Sequence, residues 1–525
     1  MYLTDSPQLY STSDDEFGRH LRPLHNAKQW GFAMKALSQR GGDLRVLTCG
    51  PKGSGKSTFN KYLLNHLLSI SPSQDMQHPG NDGVAFLDLD PGQPEFSPAG
   101  HIYLAHIKSP ILGPPYSHPT LNEHTEGSVI RAHHIGATSP KDDSDHYAMA
   151  IMNLMDHYHQ LRHQYPRCAL IINYPGWIFG QGLELVTWLV GSLGLSNVVY
   201  MSEKGPEEVT MPLSAAASHA GITLTVLPSQ PIEYTSRSSA QLRTMQMLSY
   251  FHASQGPQNP LWSNIPLNRV RSIAVTYAGD KPGILGIMTP GFPREPDMLK
   301  DLLGGALVSV VAFESLEAVG PTPDSAPEST DQDTPVTPQN NTTHPAITPT
   351  DAESLPYLFV GSGTSMPPDP THSYALGLAL VKSINTESKT LELITPITPR
   401  TLRNVLEQNH RIVLVRGHLD APTWAVSEEY FSARAAMGRF REGMAVVKRG
   451  KGGKAGEVPS LEMQMRDSSM LEKMRERVRL AANVPWMRVE GWDEADGKTR
   501  TRRERRLWKV RKRADVAGSG DESES

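Results

Sequence analysis

The first half of the chain alternates short apolar runs with longer segments in which apolar residues recur at helical spacing. Short apolar runs bounded by turn residues predict strands, and the amphipathic segments between them predict helices. Alternation of the two predicts an α/β domain with a mainly parallel sheet and helices on both faces. The predicted strands are Leu44–Cys49, Val84–Asp88, Cys168–Asn173, Asn197–Met201 and Thr223–Leu227, and the predicted helices include Ser57–Leu68, His146–Tyr165 and Leu183–Leu193.

From about Ile265 the pattern changes to apolar runs without helices between them, which predicts a smaller β-rich C-terminal domain. Its predicted strands are 273–277, 283–288, 306–314, 357–361, 374–384, 390–393 and 411–418. Residues 318–355 are rich in Pro, Thr, Ser and Asp, so we expect a disordered insertion there. The whole pattern predicts four parts: an irregular N-terminal segment at 1–43 with a short helix over 30–37, an α/β domain at 44–260, the β-rich domain at 261–435 and a mostly disordered tail at 436–525.

Composition adds an expectation about location and partners. The 525 residues are 38% hydrophobic and include only two cysteines, Cys49 and Cys168, both in apolar runs, which favours a reducing, intracellular environment. Net charge is −4, yet ten of the sixteen residues at 498–513 are Lys or Arg. A basic block of this kind is typical of nuclear or nucleolar targeting or of attraction to RNA.

The strongest motif follows the first predicted strand. Residues 50–58 match the phosphate-binding loop pattern G-x-x-x-x-G-K-[ST], with a strand before it and a helix after it. Backbone N–H groups and the helix N-terminus can hold phosphates, Lys56 can reach the β- and γ-phosphates, and Ser57 offers a hydroxyl to Mg²⁺. We therefore predict a nucleoside triphosphate site formed by Gly50, Pro51, Lys52, Gly53, Ser54, Gly55, Lys56, Ser57 and Thr58.

Two aspartates end the second predicted strand. Asp88 and Asp90 are two residues apart, so in an extended segment their carboxylates face the same side. One can hold the Mg²⁺ shell while the other accepts a proton from an attacking hydroxyl. Spacing alone does not assign the two roles.

Two further segments belong at the same edge of the sheet. A strand ends in Asn173-Tyr174-Pro175-Gly176-Trp177, which offers backbone donors and an aromatic ring, although an ordinary turn with a core tryptophan explains it equally well. Arg237 and Arg243 open a later helix and can neutralise charge on a transferring phosphoryl group, although a solvated helix face is an equal alternative.

Together these four pieces resemble the polynucleotide 5′-hydroxyl kinase family, over roughly residues 44–420. The family's Asp-x-Asp-x-Gly-Gln segment corresponds to residues 88–93, its γ-phosphate clasp Thr-x-Gly-Trp to residues 174–177, and its arginine-bearing lid to Arg237 and Arg243. Tyr174 replaces the clasp threonine, so we expect Asn173 or backbone N–H groups to make that contact. The family also has an N-terminal β-domain, and only about 43 residues precede the first predicted strand here, so we expect this chain to be a truncated or differently started version.

The resemblance implies an ATP- and Mg²⁺-dependent kinase of RNA 5′-hydroxyl ends. The catalytic residues would be Lys56, Asp88, Asp90, Arg237 and Arg243, and Gly176 and Trp177 would help to hold the nucleotide. Mg²⁺ would be held by Ser57 and Asp88, and Gln93 and Glu95 would contact the RNA end. The insertion and the basic tail are closest to the ribosomal-RNA-processing branch found in fungi, which implies a nuclear and nucleolar location and an endonuclease partner.

Three alternatives stay open. One is an ATP-binding scaffold subunit with little or no kinase activity. Another is a P-loop ATPase or GTPase switch, although the chain lacks the Asn-Lys-x-Asp motif that reads a guanine base. The third, a small-molecule kinase, fits the sheet but leaves the basic tail unexplained.

Overall fold

The computed structural model describes residues 27–69, 82–121, 125–203, 205–230, 238–254, 261–291, 295–319, 347–358 and 366–430, with single residues and pairs between 433 and 476. Both sheets described below lie in one unit that ends at Ala425, and a second unit begins at Val426. The predicted tail at 436–525 therefore lies almost entirely outside the described residues.

A seven-stranded sheet in the order β4-β3-β2-β5-β1-β6-β7 forms the first half of the structure. The five strands from β2 to β7 in this order run parallel, whereas β3 and β4 extend the sheet antiparallel at one edge. The predicted mainly parallel sheet is confirmed, but β3 and β4 were not predicted because histidines interrupt their apolar runs. The strands are β1 Arg45–Cys49, β2 Val84–Asp88, β3 His101–Ile107, β4 Gly127–His134, β5 Ala169–Asn173, β6 Asn197–Met201 and β7 Thr223–Leu227.

Helices cover both faces of this sheet, as the alternation of apolar positions along β1 requires. Val46 packs with Trp30 and Phe59 on one face, where two helices lie, and Leu47 packs with the three helices of the other face. The first pair is α1 Lys28–Ser38 and α2 Lys56–Ser69, and the second set is α3 Ser144–Gln164, α4 Gln181–Ser192 and α5 Glu207–His219, followed by α6 Ser239–His252. None of the helices in the described ranges is long and apolar enough to cross a bilayer.

The described part of the segment predicted at 1–43 is more regular than expected, because its helix is longer than the predicted 30–37. Helix α1 spans most of that part and a 3-10 turn follows at Gly41–Asp43. The expected short helix against the α/β domain is confirmed, since the Trp30 ring is 1% exposed and meets Phe59 edge to face at 5.6 Å. Burial of Trp30, together with Ala33 and Leu37, holds this short helix on the domain.

The second half contains a two-stranded hairpin and an eight-stranded sheet in the order β10-β16-β15-β12-β17-β11-β14-β13. Most neighbours are antiparallel, and β11 runs parallel to β14 and β17. The elements are β8 Ala253–Ser254, β9 Leu261–Trp262, β10 Ile273–Thr276, β11 Gly286–Met288, α7 Leu299–Leu303, β12 Leu307–Phe313, β13 Ile347–Pro349, β14 Pro356–Leu358, β15 Ser373–Asn385, β16 Thr390–Ile394, α8 Pro399–Glu407 and β17 Arg411–Val415.

The insertion predicted at 318–355 is too wide. Ala318, Val319 and Leu355 are buried, and β13 pairs with β14 at the edge of the sheet. Among the strands that the structure describes, β13 pairs only with β14 and ends the sheet. A segment with few apolar residues can therefore form it. Residues 320–346 lie outside the described residues.

The two large sheets are joined by a set of polar side chains from both, buried except for Glu314, which we call the joint cluster: His101, Arg131, His134, Ser309 and Glu314. Arg131 on β4 makes a bidentate ion pair with Glu314 at 2.6 and 2.9 Å, and its guanidinium stacks on a tyrosine ring. The His101 ring bonds Ser309 of β12 at 2.9 Å and meets His134 edge to face. Opposite charges and neutral rings thus replace apolar packing at this contact.

Candidate active site

The loop between β1 and α2 has the geometry of a phosphate cradle. Gly55 has a φ of +101°, and a Cβ there would lie 2.7 Å from Gln230 Cγ and 3.1 Å from the Trp30 ring, so only glycine fits. Helix α2 begins at Lys56 immediately afterwards, and the Ser57 side chain is exposed in its first turn. Free N–H groups of a helix N-terminus favour an anion at this position.

Lys56 lies within this loop. Its side chain is 7% exposed, and its ammonium donates hydrogen bonds to the carbonyls of Gly50 at 3.0 Å and Pro51 at 3.1 Å. Burial lowers the pKa of Lys56, and the nearby Asp90 and Cys49 oppose that shift. The loop carbonyls therefore hold the Lys56 ammonium in place, and from there the ammonium can turn towards a phosphate.

Asp88, at the end of β2, is completely buried and surrounded by donors. Its Oδ1 accepts hydrogen bonds from the Asn173 amide at 2.8 Å and the Asp90 N–H at 3.2 Å. Its Oδ2 accepts from the Glu95 N–H at 2.8 Å and the Tyr103 hydroxyl at 3.0 Å. Burial raises the pKa of Asp88 to about 7, and the hydrogen bonds from Asn173 and the backbone oppose that rise. Its four acceptor positions are occupied by protein groups.

Asp90 differs from Asp88 although only one residue separates them. It is partly exposed, and its Oδ1 accepts from the N–H groups of Gly92 at 2.9 Å and Gln93 at 3.3 Å. Its Oδ2 has no hydrogen-bond partner among the described residues, and its charge is close enough to Lys56 to raise the pKa of that amine. Of the two carboxylates, Asp90 is the one with an oxygen available for a ligand.

Asn173 connects the loop helix to Asp88. Its Oδ1 accepts a hydrogen bond from the Asn60 amide at 3.1 Å, while its own amide donates to Asp88. Both polar atoms of the Asn173 side chain thus bind protein groups, and its contact with a phosphate stays a prediction. We call Asn60, Asp88, Tyr103 and Asn173 the loop cluster. Sequence reasoning missed Asn60, although it lies one turn after Lys56, and Tyr103, which lies on an unpredicted strand.

The clasp segment touches the phosphate loop through backbone. A Cβ on Gly176 would lie 2.9 Å from Lys52 Cα, so glycine is needed for this approach. Tyr174 points the other way, because its hydroxyl donates to the Gly182 carbonyl at 2.8 Å and its side chain is fully buried. Burial raises the pKa of Tyr174, so this hydroxyl stays protonated. Trp177 is half-buried beside Gly176.

The structure describes three of the four residues that were predicted to neutralise charge or to contact the RNA end. Arg237 lies outside the described residues, whereas Arg243 is half-buried in α6. Gln93 is half-buried. The prediction for Glu95 is wrong in this arrangement, because its carboxylate is 5% exposed and is held by the Lys61 ammonium and by the His118 ring at 2.8 Å.

A magnesium ion fits this site with one change to the predicted ligands. Asp88 is too enclosed to reach a cation, whereas the Ser57 hydroxyl and Asp90 Oδ2 are accessible beside the loop. Within the described ranges no three His, Cys, Asp or Glu side chains are grouped to hold a metal. A cation here would share ligands with nucleotide phosphates and water, which is how Mg²⁺ is usually bound.

Comparison with known proteins shows which families the chain resembles. Residues 50–253 match the family described as the mRNA cleavage and polyadenylation factor CLP1 P-loop. Polynucleotide 5′-hydroxyl-kinase grc3 of Aspergillus niger is 54% identical over 98% of this chain and 64% of its own length, and that of Aspergillus oryzae is 54% identical over 98% and 65%. This chain therefore spans just under two thirds of the length of these relatives. The solved wild-type Clp1p–Pcf11p complex matches with a TM-score of 0.47 at 15% identity, over 75% of this chain and 80% of that chain.

Proposed function

We propose that the chain transfers the γ-phosphate of ATP to the 5′-hydroxyl end of an RNA, because it is similar over 98% of its length to proteins named polynucleotide 5′-hydroxyl-kinase and its residues 50–253 match the CLP1 P-loop family. One observation carries the proposal. The Lys56 ammonium, held by carbonyl groups of the phosphate loop, lies close enough to Asp90 to interact with its charge, and one carboxylate oxygen of Asp90 is bound by no described protein group. The names of the relatives support the reaction type.

In this proposal the loop binds and orients the triphosphate. The N–H groups at the start of α2 and the Lys56 ammonium hold the β- and γ-phosphates, and Gly176 keeps the clasp segment against the loop. Ser57 and Asp90 would hold Mg²⁺, which when bound would supply positive charge to the phosphate oxygens. Arg243, which the family resemblance assigns to the lid, would neutralise part of the same phosphate charge from helix α6.

Asp90 is the proposed acceptor of the proton of the 5′-hydroxyl. As the 5′-oxygen of the RNA forms its bond to the γ-phosphorus, the bond from that phosphorus to the β,γ-bridging oxygen breaks and ADP leaves. The proton of the 5′-hydroxyl passes to Asp90 Oδ2, which is the accessible carboxylate oxygen. Asp88 holds the backbone around Asp90 instead of reacting, because its own lone pairs are occupied.

The RNA is proposed to be a ribosomal RNA precursor, and the protein to act in the nucleus and nucleolus with an endonuclease partner. The basic block at 498–513 supports an RNA role, because ten cationic side chains attract phosphates over a Debye length. The endonuclease partner rests on the family resemblance alone.

The test is phosphate transfer from labelled ATP to three acceptors: 5′-hydroxyl RNA, 5′-hydroxyl DNA and none. We expect transfer to RNA by the unmodified protein and a loss of at least about 10³-fold in Lys56→Ala. Lys35→Ala, which removes an exposed ammonium from α1, is the matched control and should transfer normally. Undiminished transfer by Lys56→Ala would falsify the proposed role of the loop.

A second candidate, an ATP-binding scaffold with little transfer, has one observation in its favour. The clasp position that carries threonine in the family carries Tyr174 here, and its hydroxyl is bonded away from the loop. The two candidates separate in the same assay, since a scaffold binds ATP but labels neither RNA nor DNA.

A further inference from the structure

Helix α6 has two halves with different surroundings. Its second half is buried against the eight-stranded sheet, and the Tyr250 hydroxyl there accepts a hydrogen bond from the Leu378 N–H of β15 at 3.0 Å. Its first half is partly exposed and carries Arg243. The buried half therefore determines where the first half, and its guanidinium, lies.

One buried side chain of α6 holds the loop that follows β2. Gln246 is 4% exposed, and its amide nitrogen donates to the carbonyls of Pro94 at 2.5 Å and Ser97 at 2.9 Å. Both amide hydrogens of Gln246 are therefore used on residues 94–97. A carboxylate at this position would face two carbonyl oxygens, and an apolar side chain would leave both carbonyls without their donor.

The loop that Gln246 holds is the one that orients both aspartates. Its N–H groups at Gly92 and Gln93 bind Asp90, and its N–H group at Glu95 binds Asp88. The carbonyl groups of the same loop accept from Gln246. A single side chain thus connects the helix of Arg243 to the backbone that fixes Asp90.

Arg243 lies on the face of α6 that Gln246 uses, since three residues along a helix bring side chains to neighbouring positions. It is half-buried and has no hydrogen bond or ion pair among the described residues. A partly buried guanidinium without a carboxylate is suited to an anionic ligand.

We propose that Gln246 is a positioning residue for phosphate transfer: by binding residues 94–97 it fixes Arg243 of α6 relative to Asp90. The inference rests on the proposed kinase function. In the proposed mechanism Arg243 neutralises charge on the γ-phosphate while Asp90 accepts the proton of the 5′-hydroxyl. The two side chains must therefore be held at fixed positions relative to each other. Displacements of about 1 Å in such a frame cost up to about 100-fold in rate.

The test compares Gln246→Met, which keeps the volume but removes both hydrogen bonds, with Ser249→Ala. Ser249 is the matched control because it lies one turn further along α6 and also donates to a backbone carbonyl, that of Tyr116, outside the loop. In Gln246→Met we expect kcat with 5′-hydroxyl RNA to fall about 10- to 100-fold, while the KM for ATP changes less than about twofold. Ser249→Ala should keep kcat within about twofold.

A double variant distinguishes positioning from general damage. If Gln246 acts through Arg243, Gln246→Met should cost little more in an Arg243→Gln background, so the combined loss equals that of Arg243→Gln alone. Multiplication of the two losses, or equal kcat losses in Gln246→Met and Ser249→Ala, would overturn the proposal.

A readout without catalysis separates this inference from the proposed function. Hydrogen exchange of the Glu95 and Phe96 amides should accelerate at least about tenfold in Gln246→Met and stay unchanged in Ser249→Ala. If the unmodified protein transfers no phosphate, the kinase proposal fails, and the role of Gln246 in that reaction fails with it. Unchanged exchange in Gln246→Met, in an active enzyme, would overturn the role of Gln246 alone.

Discussion

The loop cluster and the joint cluster are both polar, and all their members except Glu314 are buried, but they treat charge in opposite ways. The loop cluster gathers neutral donors around one carboxylate, Asp88, and leaves the next carboxylate, Asp90, with an oxygen that no described group binds. The joint cluster cancels charge pairwise, with Arg131 against Glu314, and otherwise uses neutral histidines. One arrangement keeps a charge available for a ligand, and the other uses its charges to fasten two sheets.

The largest effect should come from separating the two aspartates. Asp90→Asn keeps the oxygen that accepts from Gly92 and Gln93, so we expect stability to change by less than about 0.5 kcal/mol. It removes the proton acceptor, so kcat for RNA phosphorylation should fall about 10³-fold. Asp88→Asn should instead lower the free energy of unfolding by about 2–3 kcal/mol, because its amide would face donors.

Steady-state kinetics and urea unfolding on both variants make this measurement. The assignment of roles is wrong if Asp88→Asn loses activity at full stability, or if Asp90→Asn unfolds more easily while it keeps its kcat.

The joint cluster should give the reverse result. Glu314→Gln leaves the Arg131 guanidinium, 8% exposed, beside a neutral partner, and we expect a loss of about 3 kcal/mol in unfolding free energy. The site is formed by other residues, so KM for ATP should stay constant at temperatures where the variant is folded. Glu317→Gln is the control: it removes an exposed partner of His372 and should cost less than about 0.5 kcal/mol. Equal costs for the two variants would mean that burial adds nothing to the Arg131 pair.

The sequence predicted most of the loop site but little of the joint. The phosphate loop, the strand ending at Asp88 and the helix of Arg243 follow from local patterns, because glycine spacing and apolar periodicity are properties of neighbouring residues. Strand β3 was missed because His101 and His106 break its apolar run, although both rings are buried. Their partners, such as Ser309 for His101, are some 200 residues away and leave no local signal.

Within the site the same limit appears. Spacing placed Asp88 and Asp90 on one edge, but only the tertiary contacts of Asp88 with Tyr103 and Asn173 distinguish the two. Glu95 was predicted to face RNA because it follows the aspartates, yet Lys61 and His118 enclose it. Segments far apart in sequence decide which polar residue stays exposed.

The smallest expected effects concern pH, and the two clusters should differ in sign. Burial lowers the pKa of His101 from 6.5 to about 4. Between these pH values the unfolded chain binds the proton and the folded protein does not, so this histidine makes stability fall as pH falls from 6.5 to 4. His134, which His101 contacts, has a lowered pKa as well, through burial and the charges of His101, His146, Arg416 and His418.

His101→Gln should therefore flatten the pH dependence of unfolding free energy by up to about 1.4 kcal/mol per pH unit between pH 4.5 and 6.5. His163→Gln, at an exposed position of α3, is the control for losing a histidine. Asp88 has the opposite sign: its pKa is raised to about 7, so the folded protein binds the extra proton and this group adds stability as pH falls. Asp88→Asn should then steepen the same profile that His101→Gln flattens. Parallel profiles for these two variants would show that the clusters do not handle charge in opposite ways.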